Sequence, residues 1–492
     1  MTVFGDRKRD DVENSLRERM HSGAVHFMGI GGAGMCALAE ALARAGARVS
    51  GCDMAPGSTV HALEGMGIRI LEGHDPGHLD GVDLVVTTAA IPAEHPELEE
   101  AGRRGIPVVK RARALGAWVN GGEVVAVSGT HGKTTTTAMT TAIFIEAGRD
   151  PTGFVGGRVP AWAGNLRPGA DRVFVVEADE YDRSFHHLRP TVAVVTNMEA
   201  DHLDIYGDLA GVKAGFLTFL SGVREGGAVL VCGDDSGAAS LLTSVSDRGQ
   251  SYGFSAGCGL RGTSLEATVS STRFRVWEGG ADRGWLEVSI PGTHNALNAL
   301  AAAGAARAMG VDWVPIRTAL SRFAGVERRF HRLGRVRGVT VVDDYAHHPT
   351  ELEAAIRAGR QFYPGERLVA VFQPHLYTRT RDFVEEFARV LATADVVWVT
   401  DIYPAREPAI PGVDAAFLVE RIAEAGRSGS PLREVRVAPE LAELPRVLAD
   451  ELCPGDLCLL LGAGSIESVG GRLIHALEDE EPGPSAGVNA HG

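Results

Sequence analysis

The stretch Glu123-Val-Val-Ala-Val-Ser-Gly-Thr-His-Gly-Lys-Thr-Thr-Thr-Thr137 decides the fold of this chain. Val124 to Val127 is a short apolar run, which is typical of a buried strand in a parallel sheet. Two glycines then interrupt the pattern, and Lys133 opens a Thr- and Ala-rich segment that is typical of a helix. A strand, a glycine turn, a Lys-Thr pair and a helix together predict a phosphate-binding loop. The chain is therefore predicted to bind a nucleotide in an α/β domain.

This loop departs from the strict G-x-x-x-x-G-K-[ST] pattern, because Val127 stands where the first glycine should be. In a loop of this kind the backbone amides and the helix N-terminus face the phosphates, the lysine neutralises them, and a threonine hydroxyl binds Mg²⁺. The candidate nucleotide-binding residues of the loop are Gly129, Thr130, His131, Gly132, Lys133, Thr134 and Thr135.

A second glycine-rich segment lies near the N-terminus. Val25 to Met28 predicts a strand, Gly29-Ile-Gly-Gly-Ala-Gly34 follows it, and the next predicted strand ends at Asp53. This is the dinucleotide-binding pattern, in which glycines let the phosphates approach and the acid binds a ribose. The alternative is that the glycines only allow a helix to pack closely on a strand. The residues predicted to hold a nucleotide diphosphate here are Gly31, Gly32, Ala33, Gly34 and Asp53, with Thr87 and Thr88 at the end of a later strand.

Two further apolar strands are each followed by carboxylates. The run 172–180 ends in Glu177-Ala-Asp-Glu180, and the run 191–197 leads to Glu199, Asp201 and His202. Acids at the ends of parallel strands, downstream of a phosphate loop, predict Mg²⁺ that bridges nucleotide phosphates. For any one of these acids alone, a solvent-exposed charge is an equally good interpretation. The segments 227–231 and 250–290 are predicted to be further, more antiparallel strands.

At 492 residues the chain has room for about three domains. Strands alternate with helices again after residue 326, so a third doubly wound sheet is expected. We predict a three-domain α/β fold with a Rossmann-like N-terminal domain (22–119), a central mononucleotide-binding domain with the phosphate loop (120–325) and a Rossmann-like C-terminal domain (326–480). Residues 1–21 and 481–492 are predicted to be polar tails.

Composition limits the partners and the compartment. A formal net charge of −15 argues against general nucleic-acid binding. No run of about 18 apolar residues predicts a membrane span, and the charged N-terminus does not resemble a secretory signal. The six cysteines are scattered, which favours reduced thiols. We expect a cytoplasmic protein that is a monomer or a weak homodimer.

Seven motifs, in this order along the chain, resemble the Mur ligases of peptidoglycan synthesis, and the match covers about residues 24–470. The motifs are Gly29–Met35, Gly129–Thr135, Glu177–Glu180, Asn197–Asp204, His294–Asn298, Asp343–Pro349 and Phe372–Asp382. The resemblance implies that ATP phosphorylates the lactyl carboxylate of UDP-N-acetylmuramate and that the amine of L-alanine attacks the acyl phosphate. It also implies that the N-terminal glycine loop holds UDP and not NAD.

The resemblance further implies roles for single residues. Thr134 and Glu177 match the family's first Mg²⁺ ligands, and Glu177 with His202 matches the second site. Asn295 matches the adenine-side contact and Arg328 a phosphate contact. Tyr345, His347 and Arg379 match the amino-acid site, and Lys133, Glu177, His202, His347 and Arg379 are the predicted catalytic residues. Some family members carry a carbamylated lysine at a position that is Phe216 here, so no carbamate is assigned.

Several alternatives stay open at this point. Tyr181 is a residue type shared with the murein-peptide ligases of the same superfamily, which attach a recycled peptide. A folate polyglutamylating ligase would not need the N-terminal glycine loop. Residues 24–119 could instead form a module of an NAD-dependent oxidoreductase, and the whole chain could be a nucleotide-binding scaffold without catalysis. Intact Lys133, Glu177 and His202 argue against the scaffold.

Overall fold

The computed structural model describes residues 3–54, 58–88, 90–245, 248–268, 271–405, 407–427 and 429–479. Two compact units are present. The first runs up to Ala267 and from Ser271 to Val326, and the second begins at Glu327. Three sheets account for the three-domain α/β fold, two in the first unit and one in the second.

The first sheet has five parallel strands in the order β3-β2-β1-β4-β5. Because the strand order reverses between β1 and β4, the loop after β1 lies at the switch point where ligands bind in doubly wound sheets. The strands are β1 (Ala24–Met28), β2 (Arg48–Asp53), β3 (Arg69–Glu72), β4 (Leu84–Thr87) and β5 (Val108–Lys110). The helices are α1 (Val3–Ser22), α2 (Ala33–Arg44), α3 (Ser58–Glu64), α4 (Pro96–Arg104) and α5 (Arg111–Val119), with a 3-10 turn at Pro76–Leu79.

The N-terminal segment packs on the core of the first unit, whereas we expected a polar lead-in whose sequence is compatible with a helix. It forms α1, and Leu16 and Met20 on this helix are buried in the core of the first unit. These two residues are one helical turn apart and therefore share a face. Two apolar positions among many charges were too weak a pattern to predict burial. Residues 481–492 of the other predicted tail lie outside the described residues.

The second sheet has ten strands in the order β15-β14-β13-β12-β11-β10-β6-β9-β7-β8. The strands are β6 (Glu123–Ser128), β7 (Thr152–Val159), β8 (Gly164–Arg167), β9 (Val173–Glu177), β10 (Val192–Val195), β11 (Ala228–Cys232), β12 (Gly249–Gly253), β13 (Leu260–Ala267), β14 (Thr272–Glu278) and β15 (Ala281–Val288). The pairs β13–β14, β14–β15 and β7–β8 are antiparallel. The prediction of antiparallel pairing is wrong for β11 and β12, which extend the parallel sheet because short helices form a crossover between them.

Helix α6 packs against the second sheet. It follows the phosphate loop after β6, most of its residues are buried, and it packs against α11 and α12. The helices are α6 (Lys133–Glu146), α7 (Leu203–Tyr206), α8 (Leu209–Ser221), α9 (Ser236–Ala239), α10 (Leu242–Val245), α11 (Thr293–Ala308) and α12 (Trp313–Ser321), with 3-10 turns at Pro160–Trp162 and Tyr181–His187.

The second unit contains a six-stranded sheet in the order β16-β17-β21-β18-β19-β20, in which only the β16–β17 pair is antiparallel. The strands are β16 (His331–Val336), β17 (Val339–Asp344), β18 (Arg367–Phe372), β19 (Val396–Val399), β20 (Glu434–Val437) and β21 (Asp456–Leu461). The helices are α13 (Pro349–Phe362), α14 (Tyr377–Asp382), α15 (Val384–Leu391), α16 (Ala415–Gly426), α17 (Leu444–Glu451) and α18 (Glu467–Asp479). Apolar cores lie on both faces of the sheet.

Among the helices that the structure describes, none combines the length and the apolar character needed to cross a bilayer.

Candidate active site

The phosphate loop connects the end of β6 to the start of α6, as predicted. Gly129 and Gly132 have φ angles of 134° and 81°, in the region that favours glycine. A Cβ atom at Gly129 would collide with the hydroxyl of Thr196, and one at Gly132 would lie 2.5 Å from Asn298 Oδ1. Both glycines are therefore required by the backbone angle and by the close approach of neighbouring side chains.

The end of β10 holds this loop in place. Asn197 Oδ1 accepts a hydrogen bond of 2.7 Å from the amide of His131, and Thr196 Oγ1 donates one of 2.6 Å to the His131 carbonyl. The amide of Glu199 donates to Thr130 Oγ1 at 3.0 Å. The loop conformation is thus fixed by hydrogen bonds from the adjacent strand, and the side chains after β10 are brought beside it.

Lys133 forms a buried ion pair with Glu180. Its Nζ atom lies 2.9 and 3.0 Å from the two carboxylate oxygens and also donates to the Gly129 carbonyl at 2.6 Å. Burial lowers the pKa of Lys133, but the charges of Glu180, Asp179 and Glu177 outweigh it and the pKa is raised. Burial raises the pKa of Glu180 to about 7, although Lys133 opposes this. Lys133 is therefore a protonated cation at the start of α6.

Glu177 places a second carboxylate at the loop. Thr134 Oγ1 donates to Glu177 Oε1 at 3.1 Å, and the amide of Gly156 donates to Glu177 Oε2 at 2.6 Å. A hydroxyl and a carboxylate at this separation are the hard oxygen donors that Mg²⁺ prefers. Thr135, the next residue of the helix, is buried.

His202 lies beside the same group of carboxylates. Its Nε2 atom is 4.0 Å from Glu180 Oε1 and 3.7 Å from Asp201 Oδ2, and its ring is 5.2 Å from the ring of Tyr181. The residue has a φ angle of 53°, which is uncommon for a residue with a Cβ atom. The structure thus brings His202 close to Glu180. Glu180 belongs to the recognised motif Glu177–Glu180, but no role was predicted for it from the sequence.

Asn295 and Asn298 lie at the start of α11. Asn295 Nδ2 donates to the Pro291 carbonyl at 2.6 Å, and Asn298 Nδ2 donates to Asn295 Oδ1 at 3.2 Å. The hydroxyl of Thr136 donates to Asn298 Oδ1 at 3.3 Å and so connects α11 to α6. The pair therefore has a structural role at the helix start, and a contact from Asn295 to adenine remains a prediction.

The N-terminal glycine loop leads from β1 into α2. The amide of Gly31 donates to Asp53 Oδ2 at 2.8 Å, so the predicted ribose-binding acid closes this loop. Gly32 precedes the first residue of α2, Ala33. Thr87 ends β4 and is buried, and Thr88 has its methyl group 3.0 Å from the position of a Cβ atom on Gly29.

A cavity of about 210 Å³ lies between the N-terminal glycine loop and the end of β9. Its walls include Ala33 and Gly34 from the N-terminal glycine loop and Glu177 and Asp179 from the end of β9. Arg111 also lines it, and its Nη1 atom is 3.0 Å from the position of a Cβ atom on Gly34. Arg111 was missed in the sequence, where the basic run 110–113 was the available signal. The arrangement can hold a phosphorylated ligand between a cation and the carboxylates.

Arg328 is bound by residues of its own unit. Its Nη1 atom donates to Glu467 Oε2 at 2.7 Å and its Nη2 atom to the Gly462 carbonyl at 2.6 Å, while Nε is 3.3 Å from Asp343 Oδ2. The guanidinium also lies 4.9 Å from the ring centre of Tyr345. A phosphate contact by Arg328 remains a prediction, and it would require exchange of at least one of these partners.

Tyr345 and His347 are neighbours at the end of β17. Their rings are 5.4 Å apart, and His347 Nδ1 lies 3.0 Å from the Tyr345 carbonyl and 3.1 Å from Glu351 Oε2. The ring of His375 is 5.7 Å from that of His347. Arg379 lies on α14, which follows His375 closely. The structure therefore brings Tyr345 and His347 together with His375, which sequence reasoning had not singled out.

Phe216 occupies the position of the carbamylated lysine of some family members. It lies on α8, is buried, and packs edge-to-face on Phe185 with ring centres 5.4 Å apart.

Three family models match consecutive parts of the chain. They are described as Mur ligase family, catalytic domain (residues 24–122), Mur ligase middle domain (127–306) and Mur ligase, glutamate ligase domain (328–464). A curated UDP-N-acetylmuramate–L-alanine ligase from Salinibacter ruber is 42% identical over 93% of this chain and 95% of its own length.

Solved structures give the same result. The crystal structure of UDP-N-acetylmuramate–alanine ligase from Thermotoga maritima is 28% identical, with a TM-score of 0.79 over 92% of this chain and 99% of that one. A murein peptide ligase from Psychrobacter arcticus is 26% identical, with a TM-score of 0.68 over 94% of this chain and 100% of that one. The chain therefore belongs to the Mur ligase family.

Proposed function

We propose that this chain is an ATP-dependent ligase that joins L-alanine to the lactyl carboxylate of UDP-N-acetylmuramate. The relative from Salinibacter ruber carries this activity in its name and is 42% identical over nearly the whole chain. The observation that supports the proposal best is the cavity between the N-terminal glycine loop and the end of β9, because a substrate held there would lie beside Glu177, which accepts a hydrogen bond from Thr134 at the start of α6.

Each domain would bind one substrate. The N-terminal domain (22–119) would hold the UDP portion at Gly31, Gly32, Ala33 and Gly34, with Asp53, Thr87 and Thr88 nearby. The central domain (120–325) would bind ATP at the loop 129–135, with Asn295 near adenine. The C-terminal domain (326–480) would bind L-alanine, and Arg328 would add a phosphate contact.

Lys133 would neutralise the phosphoryl group that is transferred to the carboxylate. Its present partner, Glu180, is a carboxylate with both oxygens within 3.0 Å of Nζ, so the ammonium group is already oriented toward an anion. A preorganised charge in a site of low water content stabilises the transition state strongly. The amine of L-alanine would attack the acyl phosphate, and the tetrahedral intermediate that forms would expel phosphate and lose a proton to leave the amide.

Mg²⁺ fits the donor set of Thr134, Glu177 and His202. The Thr134 hydroxyl and the Glu177 carboxylate are 3.1 Å apart and supply the oxygen donors that Mg²⁺ prefers. The imidazole of His202, whose Nε2 atom lies 4.0 Å from Glu180 Oε1, would add a nitrogen ligand. When bound, the ion would reduce the repulsion between the attacking carboxylate and the phosphates. Thr134 and Glu177 would orient it at the phosphate loop.

Arg379 would bind the carboxylate of L-alanine through two parallel hydrogen bonds, a geometry that lysine cannot reproduce. Tyr345 and His347 would form the wall of this subsite, because their rings pack on each other and the His347 ring also packs on His375. With these substrates the protein would act in the cytoplasm as a monomer or weak homodimer, without nucleic acid or membrane.

A murein-peptide ligase is the second candidate, since Tyr181 is shared with that group and the Psychrobacter arcticus structure aligns over 94% of this chain. The test is ADP formation from ATP with UDP-N-acetylmuramate and either L-alanine or a murein tripeptide. We expect ADP formation when UDP-N-acetylmuramate is combined with L-alanine, and none when it is combined with the tripeptide. Turnover only with the tripeptide would support the second candidate, and turnover with neither would overturn both.

A further inference from the structure

Four side chains with metal-binding atoms meet in the N-terminal domain, apart from the ligase site. They are His26, Cys52, His78 and Glu97, and one ligand atom from each lies within 4.8 Å of the other three. No step of the proposed ligation uses them. In the sequence they are far apart and belong to no metal-binding motif, so only the fold brings them together.

Different elements supply these residues. His26 lies on β1 and Cys52 on the adjacent β2, while His78 lies in the 3-10 turn and Glu97 in the first turn of α4. The side chains of His26, Cys52 and Glu97 are completely buried, and that of His78 is 15% exposed. A set of donors that is nearly closed to water is typical of structural metal sites.

His26 provides an independent indication of a ligand. Its Nδ1 atom is hydrogen-bonded to Ser50 Oγ at 2.9 Å, whereas its Nε2 atom is buried without a hydrogen-bond partner among the described residues. A buried nitrogen without a hydrogen-bond partner is unfavourable, so such groups call for an explanation. A ring that is oriented through one nitrogen and presents the other is the usual arrangement of a metal-binding histidine.

The Cys52–Glu97 distances are close to those between neighbouring ligands of a tetrahedral site, whereas His78 and Glu97 lie at hydrogen-bond distance and would move apart around a metal ion. Cys52 Sγ lies 3.6 and 3.7 Å from the oxygens of Glu97, and His78 Nδ1 lies 2.9 Å from Glu97 Oε1. With metal–nitrogen bonds of about 2.1 Å and metal–sulfur bonds of about 2.3 Å, neighbouring ligand atoms are about 3.4–3.6 Å apart. Small side-chain movements would therefore complete the coordination.

We propose that His26, Cys52, His78 and Glu97 bind a divalent transition-metal cation of the zinc class. A thiolate, two imidazoles and a carboxylate form a donor set that suits Zn²⁺ far better than Mg²⁺ or Ca²⁺, which prefer sites made mostly of oxygen ligands. The Cys52 thiol loses its proton to solvent as the metal–sulfur bond forms.

Two neighbouring histidines extend the site. His74 Nδ1 lies 3.1 Å from Glu97 Oε2 and 3.2 Å from Cys52 Sγ, and the ring of His95 is 4.7 Å from that of His74. His74 would orient the two anionic ligands by hydrogen bonding, as outer groups do in metal sites.

The metal would also stabilise the nucleotide loop. The carbonyl of Cys52 accepts hydrogen bonds from the amides of Gly29 and Ile30, at 2.8 and 3.1 Å, and the next residue, Asp53, closes the loop at Gly31. Fixing Cys52 would therefore fix the end of β2 that supports the N-terminal glycine loop.

The test uses the full chain, stripped of metal with a chelator and titrated with Co²⁺. A thiolate bound to Co²⁺ gives charge-transfer absorption, which distinguishes this site from a carboxylate or phosphate site. One equivalent of Co²⁺ should produce this absorption, and excess Zn²⁺ should remove it. Zn²⁺ should also raise the unfolding temperature of the stripped protein.

Cys52→Ser should abolish the absorption, while Cys232→Ser, at a buried cysteine in the second sheet, should retain it. His78→Ala replaces the most exposed of the four ligands and should weaken Co²⁺ binding at least about tenfold. If Cys52→Ser does not fold, His78→Ala is the variant that tests the proposal. Absence of the thiolate absorption in the wild-type protein would overturn the proposal. Unchanged Co²⁺ binding in His78→Ala would also overturn it, and so would thiolate absorption that persists in Cys52→Ser.

Discussion

At the scale of single residues, the main feature of the candidate site is the buried ion pair between Lys133 and Glu180. Both side chains are largely buried, with exposed fractions of 14% and 5%. Breaking a buried pair leaves an uncompensated charge, which costs about 3–5 kcal/mol unless the remaining group changes its protonation. The stability and the activity of variants at this pair must therefore be measured separately.

Lys133→Ala should abolish amide formation, with a loss of at least about 10²–10³ in kcat from the missing preorganised charge. It should also lower the free energy of unfolding, because Glu180 loses its partner. Lys133→Ala combined with Glu180→Gln should recover much of the stability and none of the activity. ADP-coupled turnover and urea unfolding measure the two effects. Near-normal turnover in Lys133→Ala would remove the phosphate loop from the mechanism.

Glu180 should make the stability depend on pH. Its pKa is about 7 in the folded protein and 4.5 for the ordinary group, so the folded state binds more protons between these values. Its contribution is fully present below pH 4.5 and is lost as the pH rises through 7. In Glu180→Gln residue 180 cannot titrate, so this variant does not lose stability in that way. The free energy of unfolding of the variant minus that of the wild type should therefore increase from pH 4.5 to 7. A relative stability that does not vary with pH would contradict the raised pKa.

Arg379→Lys keeps the charge at the predicted L-alanine site but loses the planar fork. The KM for L-alanine should increase at least about tenfold, because a bidentate contact to a carboxylate is worth about 1.5–3 kcal/mol. The KM for UDP-N-acetylmuramate should hardly change. Steady-state kinetics with each substrate varied in turn measure this difference. The reverse result would show that Arg379 belongs to the UDP-sugar site.

At the scale of elements, the turn between β6 and α6 depends on glycine more than any other described turn of the site. Gly129→Ala would force a Cβ atom into Thr196 at a φ angle of 134°. Gly148→Ala, just after the same helix, also has a positive φ angle but meets nothing within 4 Å. Gly148→Ala serves as the control and should lower the free energy of unfolding by about 1–2 kcal/mol. Gly129→Ala should lower it by more and should also weaken ATP binding. Equal thermal stability of the two variants would contradict this account of the turn.

The elements also show what the sequence could and could not predict. The apolar runs that become β6, β9 and β10 are long and continuous, so the phosphate loop and the carboxylates after the strands could be predicted. The pairing of Lys133 with Glu180, and not with another acid of Glu177–Glu180, depends on the turn after β9 and has no sequence signal. The burial of Met20 and the convergence of His26 with Glu97 depend likewise on tertiary packing.

At the scale of the whole molecule, the family could be predicted because its motifs are local and occur in order. Arg328 shows the limit of such a prediction, since its matched role is phosphate binding while its observed partners are Asp343, Glu467 and the Gly462 carbonyl. A motif identifies a residue but does not give the interactions that the residue makes before the substrates bind.

The central claim is that ATP activates the carboxylate of UDP-N-acetylmuramate and L-alanine displaces the phosphate. The most direct measurement is mass spectrometry of the products formed when both carboxylate oxygens of UDP-N-acetylmuramate are ¹⁸O. An acyl phosphate keeps one of these oxygens in the bond to phosphorus, so the account predicts one ¹⁸O in the released phosphate and one in the L-alanyl amide. Phosphate without ¹⁸O, or phosphate release without the amide, would contradict the account.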